Sequence, residues 1–166
     1  HVLSRRQRQM CIRDRLVCAA ITRLARGKTD VVMMLNGALG GLVAITAEPL
    51  MPSPLMAIII GGIGGALVFA GTELLVSLKI DDVVGAIPVH LIAGVWGTLA
   101  VPITNPDTSF GTQLLGTASI CVFVFVVSLI IWAIMKATIG IRISEEAEKE
   151  GTDVAETGVI AYSIRD

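Results

Sequence analysis

Four long apolar stretches, set apart by short polar breaks, dominate the chain. They run over about Val31–Ala47 (VVMMLNGALGGLVAITA), Leu55–Leu78 (LMAIIIGGIGGALVFAGTELLVSL), Val83–Ile103 (VVGAIPVHLIAGVWGTLAVPI) and Leu114–Ile139 (LLGTASICVFVFVVSLIIWAIMKATI). None alternates apolar with polar positions, so strands of a membrane barrel are excluded. Each approaches the ~20 residues a helix needs to cross ~30 Å of hydrocarbon, the first being marginal. The pattern predicts an all-α fold, a polytopic transmembrane helix bundle.

The breaks between the stretches set the order of the helices in space. EPLMPSP, KIDD and TNPDTSFG are short, so consecutive spans run antiparallel. Lys and Arg fall on alternate breaks. Arg23, Arg26 and Lys28 precede the first span, Lys79 lies between the second and third, and Lys136 and Arg142 follow the fourth; the other two loops carry neither. By the positive-inside rule the KIDD loop and the C-terminus are cytoplasmic. The expected organisation is a transmembrane domain over residues 16–139 and a cytoplasmic tail over 140–166, in a multi-pass protein of the cell membrane.

Composition agrees with burial in a bilayer. The 166 residues are 54% hydrophobic and only 16% charged, more apolar than a small soluble domain can bury. The net charge of −1 removes any case for nucleic-acid binding. Cys11, Cys18 and Cys121 have neither C-x-x-C nor His/Cys spacing, so no metal or redox site is expected, and no cofactor. The first fifteen residues, HVLSRRQRQMCIRDR, are strongly basic and lack the apolar core of a signal peptide. The text changes character at about Leu16, and residues 1–15 are read as a non-native or disordered leader.

Within the spans, Gly37 with Gly41 and Gly61 with Gly65 form two G-x-x-x-G pairs, which let helix backbones approach closely in lipid. His90 sits midway along the third span among Val89, Leu91 and Ile92. A neutral imidazole offers one donor and one acceptor, so at that depth it serves either a passing polar solute or a neighbouring helix. Asp81 and Asp82 open the same span, where negative charge suits a helix N-terminus; capping is the leading reading and gating the alternative. Glu73 is expected to reach Lys79 or the interface, and Trp96 and Trp132 to be packing or interface residues.

Three segments carry a family resemblance. DDVVGAIPVHLIAGVWGTLAV (Asp81–Val101) resembles the tenth transmembrane helix of the ammonium transporter (Amt/Mep/Rh) family. GIRISEEAEKEGTDVAETGVIAY (Gly140–Tyr162) is similar to that family's C-terminal tail, through Gly140, Arg142, the acidic run with Glu145 and Glu146, Gly151, Asp153 and Tyr162. GKTDVVMMLNGALGGLVAIT (Gly27–Thr46) is similar to its eighth helix and the loop before it. The resemblance implies the C-terminal part of an eleven-helix fold: the end of helix seven, helices eight to eleven, and the tail. It implies a pore with two hydrogen-bonded imidazoles, His90 matching the second, and a first that belongs to an earlier helix outside this sequence. About 230 further residues are expected on the N-terminal side, at ~20 per helix plus loops.

The resemblance further implies that ammonium gives up a proton near the pore entrance and crosses as ammonia, without enzymatic chemistry. It implies a homotrimer in which the tail docks on a neighbouring subunit and meets a PII-type regulatory protein. Two positions depart from the family pattern: Gly85 stands where many members have an acid, and Thr157 where the tail usually has histidine. Two alternatives stay open, an ammonium sensor or scaffold on the same fold and a fragment that cannot transport by itself.

Overall fold

A computed structural model describes residues 16–48 and 53–160. The leader, residues 49–52, and Tyr162 lie outside the described residues. The described chain is helical: α1 over residues 16–26, α2 Val31–Ile45, α3 Pro54–Ser77, α4 Ile87–Thr104, α5 Phe110–Thr138, and two short tail helices, α6 Glu145–Glu150 and α7 Thr152–Thr157. Three of them, α3, α4 and α5, are long and apolar enough to span a bilayer. At 15 residues α2 is ~22 Å long, short of the full hydrocarbon thickness.

Local chemistry sets the ends. The Asp30 side chain accepts from the Met33 amide to start α2, and Ser53 accepts from Met56 ahead of Pro54 in the first turn of α3. The α3 C-terminus closes with the Ile80 amide on the Leu75 carbonyl and the Lys79 amide on the Val76 carbonyl. This is a Schellman arrangement with Lys79, at φ 57°, where glycine is usual. The third helix starts four residues later than the apolar pattern predicts. Gly85 at φ 78° ends a turn begun at Asp82, leaving Val83 and Val84 outside the helix and exposed. The fourth starts four residues earlier, at Phe110, where Ser109 caps the Thr112 amide.

The chain divides into two compact units, one ending at Ile120 and one beginning at Cys121. In the first, α2, α3 and α4 pack on one another through small residues. A Cβ at Gly64 would lie 3.0 Å from the Gly40 carbonyl oxygen and 2.8 Å from Ala44 Cβ; one at Gly97 would lie 2.2 Å from the Ala44 oxygen. Gly37, Gly41, Gly61 and Gly65 are all buried, and Gly40, Gly64 and Gly97 also make close approaches. Gly40 with Ala44 and Gly97 with Ala93 are small-xxx-small pairs, which a search for glycine pairs alone passes over.

Polar links tie the helices at both ends. Around the start of α2, Arg26 pairs with Asp30 at 3.1 Å and with Glu73 of α3, its guanidinium lying 5.6 Å over the Phe69 ring. The partner of Glu73 is therefore Arg26, not Lys79: the end of α1 arrives beside α3, while Lys79 turns away in the left-handed cap. At the far end the Asn105 amide donates to Glu48 at 3.2 Å, joining the exits of α2 and α4. Cys18 and Thr22 of α1 are fully buried. The Cys18 thiol donates to the Gly65 carbonyl, and the Thr22 hydroxyl to the carbonyl of Cys18. Trp96 donates its indole N–H to the Ile60 carbonyl at 3.0 Å, a cross-helix bond between α4 and α3.

The second unit holds the rest of α5 and the tail. Gly140 at φ 82° ends α5, and its amide donates to the Met135 carbonyl. Ser144 caps α6, where Lys149 and Glu145 form an exposed pair at 2.8 Å. Gly151 at φ 104° separates α6 from α7.

Candidate functional site

The first turn and a half of α4 is not α-helical. Over Ile87–Ile92 it winds as a π-helix, the Ala93 amide donating to the Pro88 carbonyl five residues back. Such turns recur at functional sites because they rotate side chains out of the ordinary helical register. Pro88 fits the first turn, where a missing N–H costs nothing. Asp82 anchors the start: its two carboxylate oxygens accept from the amides of Ala86 and Ile87, both at 2.8 Å. Asp82 therefore satisfies the free amides at the helix start, whereas Asp81 is exposed beside it. Asp82→Ala should lower stability by about 1–2 kcal/mol, read as thermal unfolding of the purified protein in detergent.

His90 lies in the middle of this π-turn. Pro88 and Val89 before it are buried, and Leu91 after it is half exposed. The sequence pattern predicts a ring buried among its apolar neighbours. Among the described residues His90 is on the exposed side of α4, because Pro88 and Ile92, two residues away in either direction, are the ones turned onto α3. Among the described residues no hydrogen bond or ion pair reaches the imidazole. A polar ring facing outward from an apolar spanning helix is open to a solute or to a group from elsewhere in the protein.

Two further residues bear on the start of α4: Asn36, which the sequence offers as a hydrogen-bonding group between helices, and Gly71, to which it gives no role. Asn36 of α2 donates its side-chain amide to the Val84 carbonyl at 3.0 Å. Gly71 of α3 faces Pro88 and Ile92 so closely that a Cβ there would lie 2.6 Å from Ile92 Cδ1 and 3.3 Å from Pro88 Cβ. An asparagine in an otherwise apolar helix was the visible signal for the first; nothing marked Gly71 among so many glycines. Of the tail residues, Gly140 and Gly151 hold left-handed or extended positive-φ turns, Glu145 pairs with Lys149, Arg142 and Glu146 are exposed, and Asp153 sits in the first turn of α7.

The comparisons with known proteins agree on one family. The profile described as Ammonium Transporter Family matches residues 14–162. The chain is 42% identical over 164 residues to ammonium transporter Amt2 of Archaeoglobus fulgidus, covering 86% of this chain and 35% of that protein. It is 38% identical over 142 residues to ammonium transporter Amt1 of Haloferax mediterranei, covering 82% and 28%. Among solved structures it is similar to a sensor Amt protein, with a TM-score of 0.84 and 29% identity over 91% of this chain and 40% of that one. The chain thus spans about a third of the length of the curated relatives it matches. With the profile covering nearly its whole length and a helical membrane architecture to match, this chain belongs to the ammonium transporter family.

Proposed function

We propose that the protein carrying this sequence moves ammonium or ammonia across a membrane, and that His90 lines the path. The observation that carries the reading is the imidazole on the π-turn of a spanning helix, on its exposed side and without a hydrogen-bond partner among the described residues, in a chain of this family. Ammonium is strongly hydrated, so a narrow apolar path excludes it unless a polar group stands in for water or takes its proton. A neutral imidazole can accept from a passing N–H or donate to ammonia's lone pair, and either role needs the ring unpaired to its own helix bundle. In the proposed pair the other histidine comes from a different helix of the full protein. Neither role makes or breaks a covalent bond other than to a proton, so the protein acts as a channel or transporter and not as an enzyme.

The rest of the reading takes its topology from charge and length and its assembly from the family resemblance. Residues 16–139 form the membrane domain and 140–166 a tail on the cytoplasmic side, where the Lys- and Arg-bearing loops lie. The assembled protein is a homotrimer, with the tail on the cytoplasmic face of a neighbouring subunit and within reach of a PII-type regulatory protein. Uptake of labelled methylammonium by cells lacking their own ammonium transporters tests the function on the full protein; no uptake above the empty cells would reject transport. Stopping the chain after Lys136 tests the tail: uptake should fall several-fold, and unchanged uptake would mean the tail does not couple subunits.

A second reading has its own support, the likeness to a solved sensor Amt protein. On that reading the same site binds ammonium and reports it to a partner with little flux. Saturable ammonium binding to the purified protein, together with absent uptake, would favour the sensor.

A further inference from the structure

The geometry points to Asn36 and Gly71 as positioning residues for His90: from two different helices they hold the π-turn that aims the imidazole. This rests on the reading of His90 as a pore-lining group.

The aim of the ring is decided by what its neighbours are packed against. Pro88 and Ile92 stand two residues on either side of His90, about half a helical turn away. Whatever presses those two onto α3 turns His90 in the opposite direction. That contact is made at Gly71, which is buried and offers no Cβ: the space a methyl would fill is taken by Ile92 Cδ1 and the Pro88 ring. A flexible Ile92 could give way to a single methyl, but the Pro88 ring cannot rotate, so a bulkier residue at 71 must move the turn itself.

A turn seated on one side can still slide or rewind from its start. The start is held from α2. The Asn36 amide bonds the Val84 carbonyl one residue before Gly85, whose carbonyl in turn accepts from Val89, the residue before His90. Gly85 passes under Asn36 so closely that a Cβ would lie 2.6 Å from Asn36 Nδ2. The 78° φ of Gly85 and the Asn36 bond therefore fix where the helix begins, and Gly71 fixes how it is rotated. Neither residue touches the imidazole, and each acts through the backbone that carries it.

Asn36→Asp preserves side-chain size but sets an acceptor against the Val84 carbonyl, which has no proton to give. Gly71→Val places two methyls beyond the Cβ against Pro88 and Ile92. In the full protein each variant should reach the membrane in parental amounts and lower methylammonium uptake about tenfold or more, since displacements near 1 Å at a reacting group carry losses of that order. Each should shift the preference for methylammonium over potassium in the direction His90→Ala does. Neither should worsen His90→Ala, because all act on one ring.

Parental uptake in Asn36→Asp and Gly71→Val would overturn the inference. So would reduced uptake with parental selectivity, or losses that add to that of His90→Ala, since both mark a structural role only. If His90→Ala itself transports and selects like the parent, the pore reading falls and takes this inference with it. A defective His90→Ala beside normal Asn36 and Gly71 variants rejects the inference alone.

Discussion

Replacing His90 with alanine in the full protein should cut methylammonium uptake about ten- to a hundredfold and weaken the exclusion of potassium. The magnitude follows from the cost of an unmade hydrogen bond in a dry path, about 1–3 kcal/mol, and from the tenfold change carried by each ~1.4 kcal/mol. A bound ammonia or ammonium that loses its partner rises in free energy by that amount at the site it must pass. Selectivity changes too, because potassium carries no proton for the ring to take. The control is Leu91→Ala, one residue on, which removes an exposed apolar side chain and no hydrogen-bonding group. It should transport within a few-fold of the parent. Radiolabelled methylammonium uptake, with and without competing potassium, gives both readings. Equal uptake and selectivity in His90→Ala and parent would exclude the imidazole from the path.

The same histidine shows how far the sequence could be read. Its presence in an apolar run was plain, and so was the helix around it, because the apolar runs are long and their breaks rich in proline and charge. Its orientation was not. Which side of a helix a residue occupies depends on winding, and the π-turn over Ile87–Ile92 shifts the register in a way that a 3.6-residue repeat does not anticipate. Hydropathy misplaced the start of α4 for a related reason. Val83 and Val84 extend the apolar run, but Gly85 and Asp82 build a capped turn through it, and backbone chemistry outweighs two valines at an exposed end. Glu73 was legible as a charge near the helix end but not as the partner of Arg26, since that pairing joins residues 47 apart in sequence. Long-range pairs of this kind exist only once the helices have packed.

Packing is also where the largest loss of stability should arise, at Gly97. A Cβ there would stand 2.2 Å from the Ala44 oxygen and 2.7 Å from both its carbonyl carbon and its Cα. These are backbone atoms of a helix, so no side-chain rotation relieves the overlap, and α2 and α4 must separate. The separation would open the cluster of Ala44, Ala57, Ile60 and Ala100 and stretch the 3.0 Å bond from Trp96 to the Ile60 carbonyl. Gly97→Ala should therefore cost about 3 kcal/mol, toward the upper end for overpacking a well-filled core. Gly94→Ala, one turn away on the same helix, makes the comparison sharp. Its Cβ would meet only Val43 Cγ1 at 3.6 Å, ordinary contact, and alanine is the better helix former by ~1 kcal/mol. Thermal unfolding of the two variants in the same detergent should thus diverge, Gly97→Ala melting far below the parent and Gly94→Ala at or above it. If the two melted together, the close approach of α2 and α4 at Gly97 would not be what holds this part of the bundle.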